Sequence, residues 1–380
     1  MIIVSAIIIS LYSFLIIAFI IGFDRIENFN SKGTTAKTKF SIVIPFRNEA
    51  QALPVLIKSL EQLTYPPDKF EILFVDDDSQ DESVGIIEKS LDTSHLWRDT
   101  RPDIQILKNK RKSNSPKKDA VETAIENARF DWIITTDADC IIPQNWLQNF
   151  DAYIQTHQVK LIAAPVTYNS SKTLLDQFQL LDILSLQGST IGGFGINKPF
   201  MCNGANLCYK KQAFFEVDGF KGNEHIGSGD DIFLLEKMIK TYPDNVHFLK
   251  SNTAIITTKT ESTLKKLITQ RIRWAAKAAS YKNNFSKLIS ISVFGMNLLL
   301  IILFLGSIVA YNSWLHFLIA FLVKFSLDFI ILFKTATFFK QQSVLKHYFW
   351  SSILYPIFII FIAITSFTSG YSWKGRTYKK

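Results

Sequence analysis

Three short acidic clusters and one basic-aromatic cluster carry the chemistry that this chain can do. Asp137-Ala138-Asp139 ends the apolar run Trp132-Ile133-Ile134-Thr135-Thr136. In an extended strand residues i and i+2 point the same way, so Asp137 and Asp139 converge if the strand persists through Ala138. Two convergent carboxylates repel each other unless a cation lies between them, and a hard divalent ion that also grips phosphate oxygens is the natural guest. An Asp-rich turn is the plain alternative. Asp76-Asp77-Asp78 ends a second run, Phe70 to Val75. A carboxylate there can accept hydrogen bonds from a nucleotide base or ribose, or it can simply precede a helix capped by Ser79. Asp230 and Asp231 follow Gly227-Ser228-Gly229 in the first turn of an expected helix. Acids at that place also complement a helix dipole. Gln270-Arg271-Ile272-Arg273-Trp274 falls on a helix expected from Thr263 to about Tyr281. Arg273 can reach a phosphate and Trp274 can pack on a sugar ring, whereas a basic amphipathic helix lying on anionic headgroups needs neither role.

The elements that must position these residues alternate in type. Lys39 to Pro45 reads as a buried strand ended by proline, and Pro54 suits the first turn of a helix with apolar face Leu53, Leu56, Leu60 and Leu63. After the Phe70 strand a helix runs through Ile86 and Ile87, and the Lys108 to Lys118 stretch reads as a basic loop. A helix from about Asp119 to Ala128 leads into the Trp132 strand, and Leu161 to Val166 forms another short strand. An amphipathic helix through Leu175, Phe178, Leu181 and Leu184 is expected next, in the core or against a membrane. Strands alternating with helices, each strand ending in polar residues, give an α/β fold with a doubly wound, mostly parallel sheet. Ligands bind such sheets at the carboxyl ends of the strands, where two of the acidic clusters stand. No Gly-rich dinucleotide or P-loop fingerprint is present, which counts against kinase and hydride-transfer chemistry.

The 380 residues are 48% hydrophobic with 32 Phe, an excess that membrane segments explain. Ile2 to Phe23 contains no charge and, at about 1.5 Å per residue, spans a ~30 Å hydrocarbon core. Lacking a basic flank before it and a small-residue cleavage site after it, the run reads as a retained anchor (1–23). Arg25, Lys32, Lys37 and Lys39 follow, which places the next domain in the cytoplasm. Residues 24–38 form a juxtamembrane linker, 39–287 the cytoplasmic domain, 288–373 a membrane domain of two or three helices, and 374–380 a basic tail whose side is left open. Lys324 and Asp328, one helical turn apart, can pair within the middle span. The net charge of +9 suits anionic lipid beside the spans; the Lys108 to Lys118 run lacks interleaved aromatics, which argues against nucleic acid. Cys140, Cys202 and Cys208 are an odd set in a domain placed in the reducing cytosol and are expected to be free thiols.

Together, Val43-Ile44-Pro45-Phe46-Arg47-Asn48-Glu49, Val75 to Asp81, Asp137-Ala138-Asp139, Gly204-Ala205-Asn206, Gly229-Asp230-Asp231 and Gln270 to Trp274 resemble the membrane-anchored family 2 glycosyltransferases, which are inverting enzymes of the GT-A fold. The resemblance covers roughly residues 39 to 281, and its strength lies in six weak motifs kept in order. It implies a nucleotide-sugar donor held by Pro45, Arg47, Glu49, Asp76, Asp77, Lys117 and Asp137. It also implies Mg2+ or Mn2+ on Asp139 and Asp137, and Asp231 as general base beside Asp230. Gln270, Arg273 and Trp274 would lie over the diphosphate and the acceptor. Lys117 or Lys118 matches a lysine before the third helix, although Pro116 stands where glycine is usual, and Asp78 replaces another usual glycine. The expected acceptor is lipid-linked or a glycan at the cytoplasmic face of the inner membrane. A processive polysaccharide synthase and a non-catalytic membrane scaffold with a nucleotide-binding fold are the other readings. Too few helices to line a channel, and a run from Leu298 to Leu305 that is aliphatic except for Phe304, favour transfer to a lipid-linked acceptor over polymer synthesis.

Overall fold

The computed structural model describes residues 2–31, 33–93, 102–169, 173–224, 226–227, 229–278, 283–310, 313–368, 370–374 and 376–378. Lys32, Ser228, the expected helix end at Tyr281, Asn312, and Gly375, Lys379 and Lys380 of the basic tail lie outside the described residues. Contacts divide the chain into two compact units. One comprises Met1–Ile26, Ser170–Phe200 and Thr260–Lys380, and the other Glu27–Asn169 and Met201–Lys259.

Along the chain the elements are α1 (Ile2–Arg25), β1 (Phe40–Phe46), α2 (Leu53–Glu61), β2 (Phe70–Asp76), α3 (Ser83–Thr93), β3 (Asp103–Lys108), α4 (Pro116–Asn127), β4 (Trp132–Thr135) and α5 (Trp146–Thr156). Next come β5 (Leu161–Ala163), β6 (Val166–Tyr168), α6 (Leu174–Gly195), β7 (Leu207–Lys210), α7 (Lys211–Glu216), α8 (Asp230–Thr241), β8 (Val246–Phe248) and β9 (Ile256–Thr258). The chain ends with α9 (Leu264–Ala278), α10 (Asn284–Ile308), α11 (Trp314–Phe338), α12 (Tyr348–Thr368), β10 (Tyr371–Trp373) and β11 (Arg376–Tyr378).

The unit from Glu27 holds a seven-stranded sheet in the order β3-β2-β1-β4-β7-β5-β8. The first four strands run parallel, and β7 runs antiparallel to both β4 and β5. The expected α/β, mostly parallel architecture is therefore present. Alternation divides the side chains between two faces. Phe40, Ile42, Ile44, Ile72, Phe74 and Ile134 pack in one core with Leu53, Leu56 and Leu60 of α2 and Trp146 and Phe150 of α5. The other face carries Val43, Leu73 and Ile133, and α4 packs there against β1 and β2. Both faces are covered, which is why these strands read as continuous apolar runs rather than as an alternation.

Several local expectations change. Pro45 does not end its strand; it lies inside β1, paired in register with Val75. Strand β3 had no strong signature because its residues are half-exposed at the sheet edge. The Leu161–Val166 strand is two pieces, β5 and β6, divided at Pro165 and placed in different sheets. Ser79 caps no helix: α3 begins at Ser83, whose amide is bound by Asp81 Oδ1 at 3.0 Å. Thr38 and Lys37 in the juxtamembrane stretch donate their backbone amides to Asp151, and Phe29 packs edge-on against Tyr153.

Among the described residues, four helices are long and apolar enough to cross a membrane: α1, α10, α11 and the stretch Gln342–Thr368 containing α12. Pro356 lies inside a continuous α12. Lys324 and Asp328 pair at 2.5 Å, and Tyr12 donates to the same carboxylate. Helices α6 and α9 group with these four rather than with the sheet, although both fall within the 39–287 stretch read from sequence as one domain. Glycine allows α6 to do so. A Cβ at Gly195 would stand 1.8 Å from the carbonyl oxygen of Gly22, one at Gly192 2.5 Å from that of Phe19, and one at Gly188 2.4 Å from Thr335 Oγ1. This stripe of small residues lets α6 nest on α1 and α11 at backbone distance.

Candidate functional site

The site in the sheet unit is built where β4 stops. Strand β4 ends at Thr135, and Cys140 donates its amide to the Asp137 carbonyl, closing a turn across Ala138 and Asp139. The extended geometry that would have aligned the two carboxylates is therefore absent; Asp137 and Asp139 are half-buried on successive limbs of a turn. Antiparallel β7 starts alongside, with Leu207 opposite Thr135, so the preceding Gly204 is delivered to the tip of β4. Thr135 Oγ1 locks it there by donating to the Gly204 carbonyl at 2.6 Å.

Gly204 in turn meets the start of α8. Its amide donates to Asp231 Oδ2 at 3.2 Å, and a Cβ on it would lie 3.1 Å from Asp230 Oδ2 and 3.8 Å from Lys117 Nζ. The left-handed Gly229 (φ +86°) turns the chain into α8 and presents both acids, as only glycine does readily. Asp231 Oδ1 also accepts from the Ile232 amide at 2.8 Å. Lys117, in the first turn of α4, reaches Asp137 at 2.7 Å and Asp230 at 3.5 Å. Burial alone would lower the Lys117 pKa, but Asp137 and then Asp230 more than offset it and hold the ammonium well above its usual range. Lys118 points elsewhere, donating to the carbonyls of Asn223 and Ile226.

The tips of β1 and β2 form a second part of the same sheet edge. Asp77 is buried and accepts from Asn109 Nδ2 at 2.7 Å, with Arg111 Nη1 at 3.8 Å. Asp76 Oδ1 binds the Ser79 amide, and Arg47 donates to the carbonyls of Asp77 and Asp78, tying the loop after β1 to this tip. Asp78 adopts a left-handed φ of 65°, as the glycine usual at that place would do without strain. Pro45 is half-buried, and Glu49 anchors through its amide to Ser83 Oγ at 2.8 Å. Sequence gives no signal for Asn109 and Arg111, because β3, which delivers them, is a half-exposed edge strand without an apolar run. Asp119 organises that loop, accepting from Arg111 Nε and from the amides of Lys112 and Ser113. Asn206 is a framework residue. Fully buried, it binds the Pro165 and Ala254 carbonyls and the Trp146 indole.

Among the described residues no cluster of three or more His, Cys, Asp or Glu side chains stands ready for a metal. The donor set nonetheless fits an ion such as Mg2+, which typically takes one or two carboxylates and completes its shell with phosphate oxygens and water. Cys140, Cys202 and Cys208 are buried; burial, followed by the Asp139 and Asp137 charges, raises the Cys140 thiol well above its ordinary range.

Gln270, Arg273 and Trp274 lie half-buried on α9, in the other unit. Gln270 donates to Glu261 at 3.0 Å, and the neighbouring Arg271 guanidinium lies 4.1 Å from the Trp274 ring centroid.

Two family models match the chain: Glycosyl transferase family 2 over residues 41–218, and Glycosyl transferase family group 2 over 132–369. The glycosyltransferase AglE of Haloferax volcanii is 26% identical over 194 residues, half of this chain and 58% of that one. The undecaprenyl-phosphate 4-deoxy-4-formamido-L-arabinose transferase of Pseudomonas fluorescens is 37% identical over 103 residues, 26% of this chain and 27% of that one. The chain thus spans from about a quarter to under two thirds of the length of these curated relatives. A mannosyltransferase from Pyrobaculum calidifontis, solved with GDP-Man and Mn2+, superposes with a TM-score of 0.54 over 92% of this chain and 99% of its own, at 14% identity. That likeness is one of fold.

Proposed function

Because the chain belongs to glycosyl transferase family group 2, we propose that it moves a sugar from a nucleotide-diphospho-sugar to a lipid-linked acceptor at the cytoplasmic face of the membrane, with inversion. The observation that carries the acceptor class is the place of α9. The helix bearing Gln270, Arg273 and Trp274 belongs to the unit of long apolar helices, as suits a platform for the headgroup of a molecule whose tail stays in the bilayer. The lipid carrier in the name of the Pseudomonas relative, undecaprenyl phosphate, agrees with a partner held in the bilayer.

In this reading Asp77, steadied by Asn109, accepts hydrogen bonds from the nucleotide base, while Pro45, Arg47, Glu49 and Asp76 shape its seat. Lys117 takes the donor diphosphate as a fixed positive charge. Asp139 and Asp137 would hold Mg2+ or Mn2+, which when bound neutralises charge on the departing diphosphate. Asp231 removes the proton from the acceptor hydroxyl as that oxygen attacks the anomeric carbon from the face opposite the leaving group, so one displacement inverts the centre. Its two oxygens each accept one amide hydrogen bond, leaving lone pairs to receive that proton. Asp230 keeps Lys117 in register. Arg273 and Trp274 act on the acceptor, Trp274 supplying the face on which its sugar packs.

The test is a panel of nucleotide sugars incubated with the full chain in lipid vesicles and scored for divalent-ion-dependent nucleotide release and for label that extracts into organic solvent. Organic-phase label is expected. A ladder of long water-soluble polymer would establish processive synthesis instead, and absence of any nucleotide release would favour the scaffold.

A further inference from the structure

One face of α6 is a row of polar residues three apart, Asp176, Gln179 and Asp182, all buried. Every one of them holds the segment that leads to Trp274. Thr260 Oγ1 donates to Asp176 Oδ1 at 2.5 Å. The Gln179 amide brackets Glu261, donating to its carbonyl at 3.0 Å and accepting from its amide at 2.8 Å. Asp182 Oδ2 accepts from Arg271 Nε at 2.7 Å, with side-chain exposures of 5% and 7%. The other Asp182 oxygen accepts from Tyr355 Oη of α12 at 3.3 Å. Glu261, fixed by Gln179, receives Gln270, and Arg271 donates to the Gln270 side chain. The guanidinium so held lies 4.1 Å from the Trp274 centroid, within cation–π range.

We propose that Asp182 is a positioning residue: through Arg271 it sets the plane of the Trp274 ring and ties it to α12, so that the acceptor meets a pre-oriented aromatic face. The acceptor role of that face rests on the function proposed above; the anchoring of Arg271 and Trp274 by Asp182 does not. A buried carboxylate bound to a guanidinium is costly to lose alone, because its removal strands a buried charge, whereas removal of both partners is far better tolerated. That asymmetry separates positioning from general loss of the fold.

The experiment uses the full chain in phosphatidylglycerol vesicles. The Trp274 fluorescence component is taken as the difference between each protein and the same protein carrying Trp274→Phe. Asp182→Asn is expected to raise acrylamide quenching of that component at least about twofold; Asp182→Glu should restore part of the protection, and Asp182→Asn with Arg271→Met should melt above Asp182→Asn alone. An unchanged Trp274 component in a folded Asp182→Asn protein, or a double variant no more stable than Asp182→Asn, would overturn the proposal. In the same vesicles, with a polyprenyl-diphosphate-linked monosaccharide as acceptor probe, Asp182→Asn should raise the acceptor KM about tenfold with kcat at saturating acceptor within about threefold. Equal losses of nucleotide release and transfer at unchanged KM would make the role merely structural. Absence of transfer by the unsubstituted chain, with the quenching difference intact, would count against the acceptor reading alone and leave Asp182 as the anchor of Trp274.

Discussion

The Lys117 ammonium stands 2.7 Å from the Asp137 carboxylate and 3.5 Å from that of Asp230, joining the turn after β4 to the first turn of α8 with one positive charge. Removing it leaves carboxylates facing one another and the donor diphosphate without a fixed cation. Lys117→Met should lower kcat/KM for the donor by about two orders of magnitude, roughly 2.7 kcal/mol of transition-state binding. Initial-rate kinetics against donor concentration check this; a loss under threefold would remove Lys117 from the donor site. Because its folded-state pKa is raised, the stability that Lys117 contributes is fully present below its unfolded value of about 10.4 and is lost only as pH rises through the higher folded value. Melting of the unsubstituted chain should show no alkaline loss attributable to this group between about pH 6 and 9.

Gly204 has little room for a side chain. A methyl there would meet Asp230 Oδ2 at 3.1 Å, close enough to displace the carboxylate by a few tenths of an ångström. Gly204→Ala should fold normally yet lose about tenfold in kcat, since small misplacements of a reacting group are expensive. A folded Gly204→Ala protein with full activity would show that the approach of β7 to α8 does not govern the chemistry.

Asp231 accepts the Gly204 amide and lies on the α8 side of the site rather than at the β2 tip where the nucleotide base is assigned. Asp231→Asn is therefore expected to abolish transfer while donor affinity, measured by calorimetry, stays within about tenfold. Collapse of donor affinity together with transfer would reassign this residue to the nucleotide.

Asp139 occupies the turn that the Cys140 amide closes after β4. If the pair grips a divalent ion with the donor diphosphate, Asp139→Asn should lower turnover by about three orders of magnitude without impairing folding. Excess chelator should silence the unsubstituted chain in the same assay. Persistent activity in chelator would dismiss the ion.

Glu71 is completely buried in β2, accepting from Ser41 Oγ at 2.5 Å and from the Arg129 amide and Nε at 2.6 and 3.0 Å. Glu71→Ala strands those donors and should destabilise the sheet unit by about 2 to 4 kcal/mol, visible as a lowered midpoint in thermal melting. A change below about 0.5 kcal/mol would mean that water replaces the carboxylate without loss.

Much of the molecule is set by short-range pattern. The apolar runs at Phe40, Phe70 and Trp132 had to become buried parallel strands, and the polar residues ending them had to gather at one edge, because parallel strands of a doubly wound sheet share a direction. The long uncharged stretches were equally legible, since length and composition alone decide whether a helix can span a bilayer. What sequence could not reveal depended on partners far along the chain. Nothing local to Leu207–Lys210 says that this strand enters antiparallel between β4 and β5, yet that insertion brings Gly204 to the Asp137 turn. Nothing local distinguishes Lys117 from Lys118; one helical position, about 100° of rotation, sends the first into the acidic site and the second to the 223–226 carbonyls. The grouping of α6 and α9 with the apolar helices arises from backbone-distance packing at Gly22, Gly188, Gly192 and Gly195, and from the buried Asp182–Arg271 pair. Each of these is a property of two distant segments meeting, and only tertiary structure decides which segments meet.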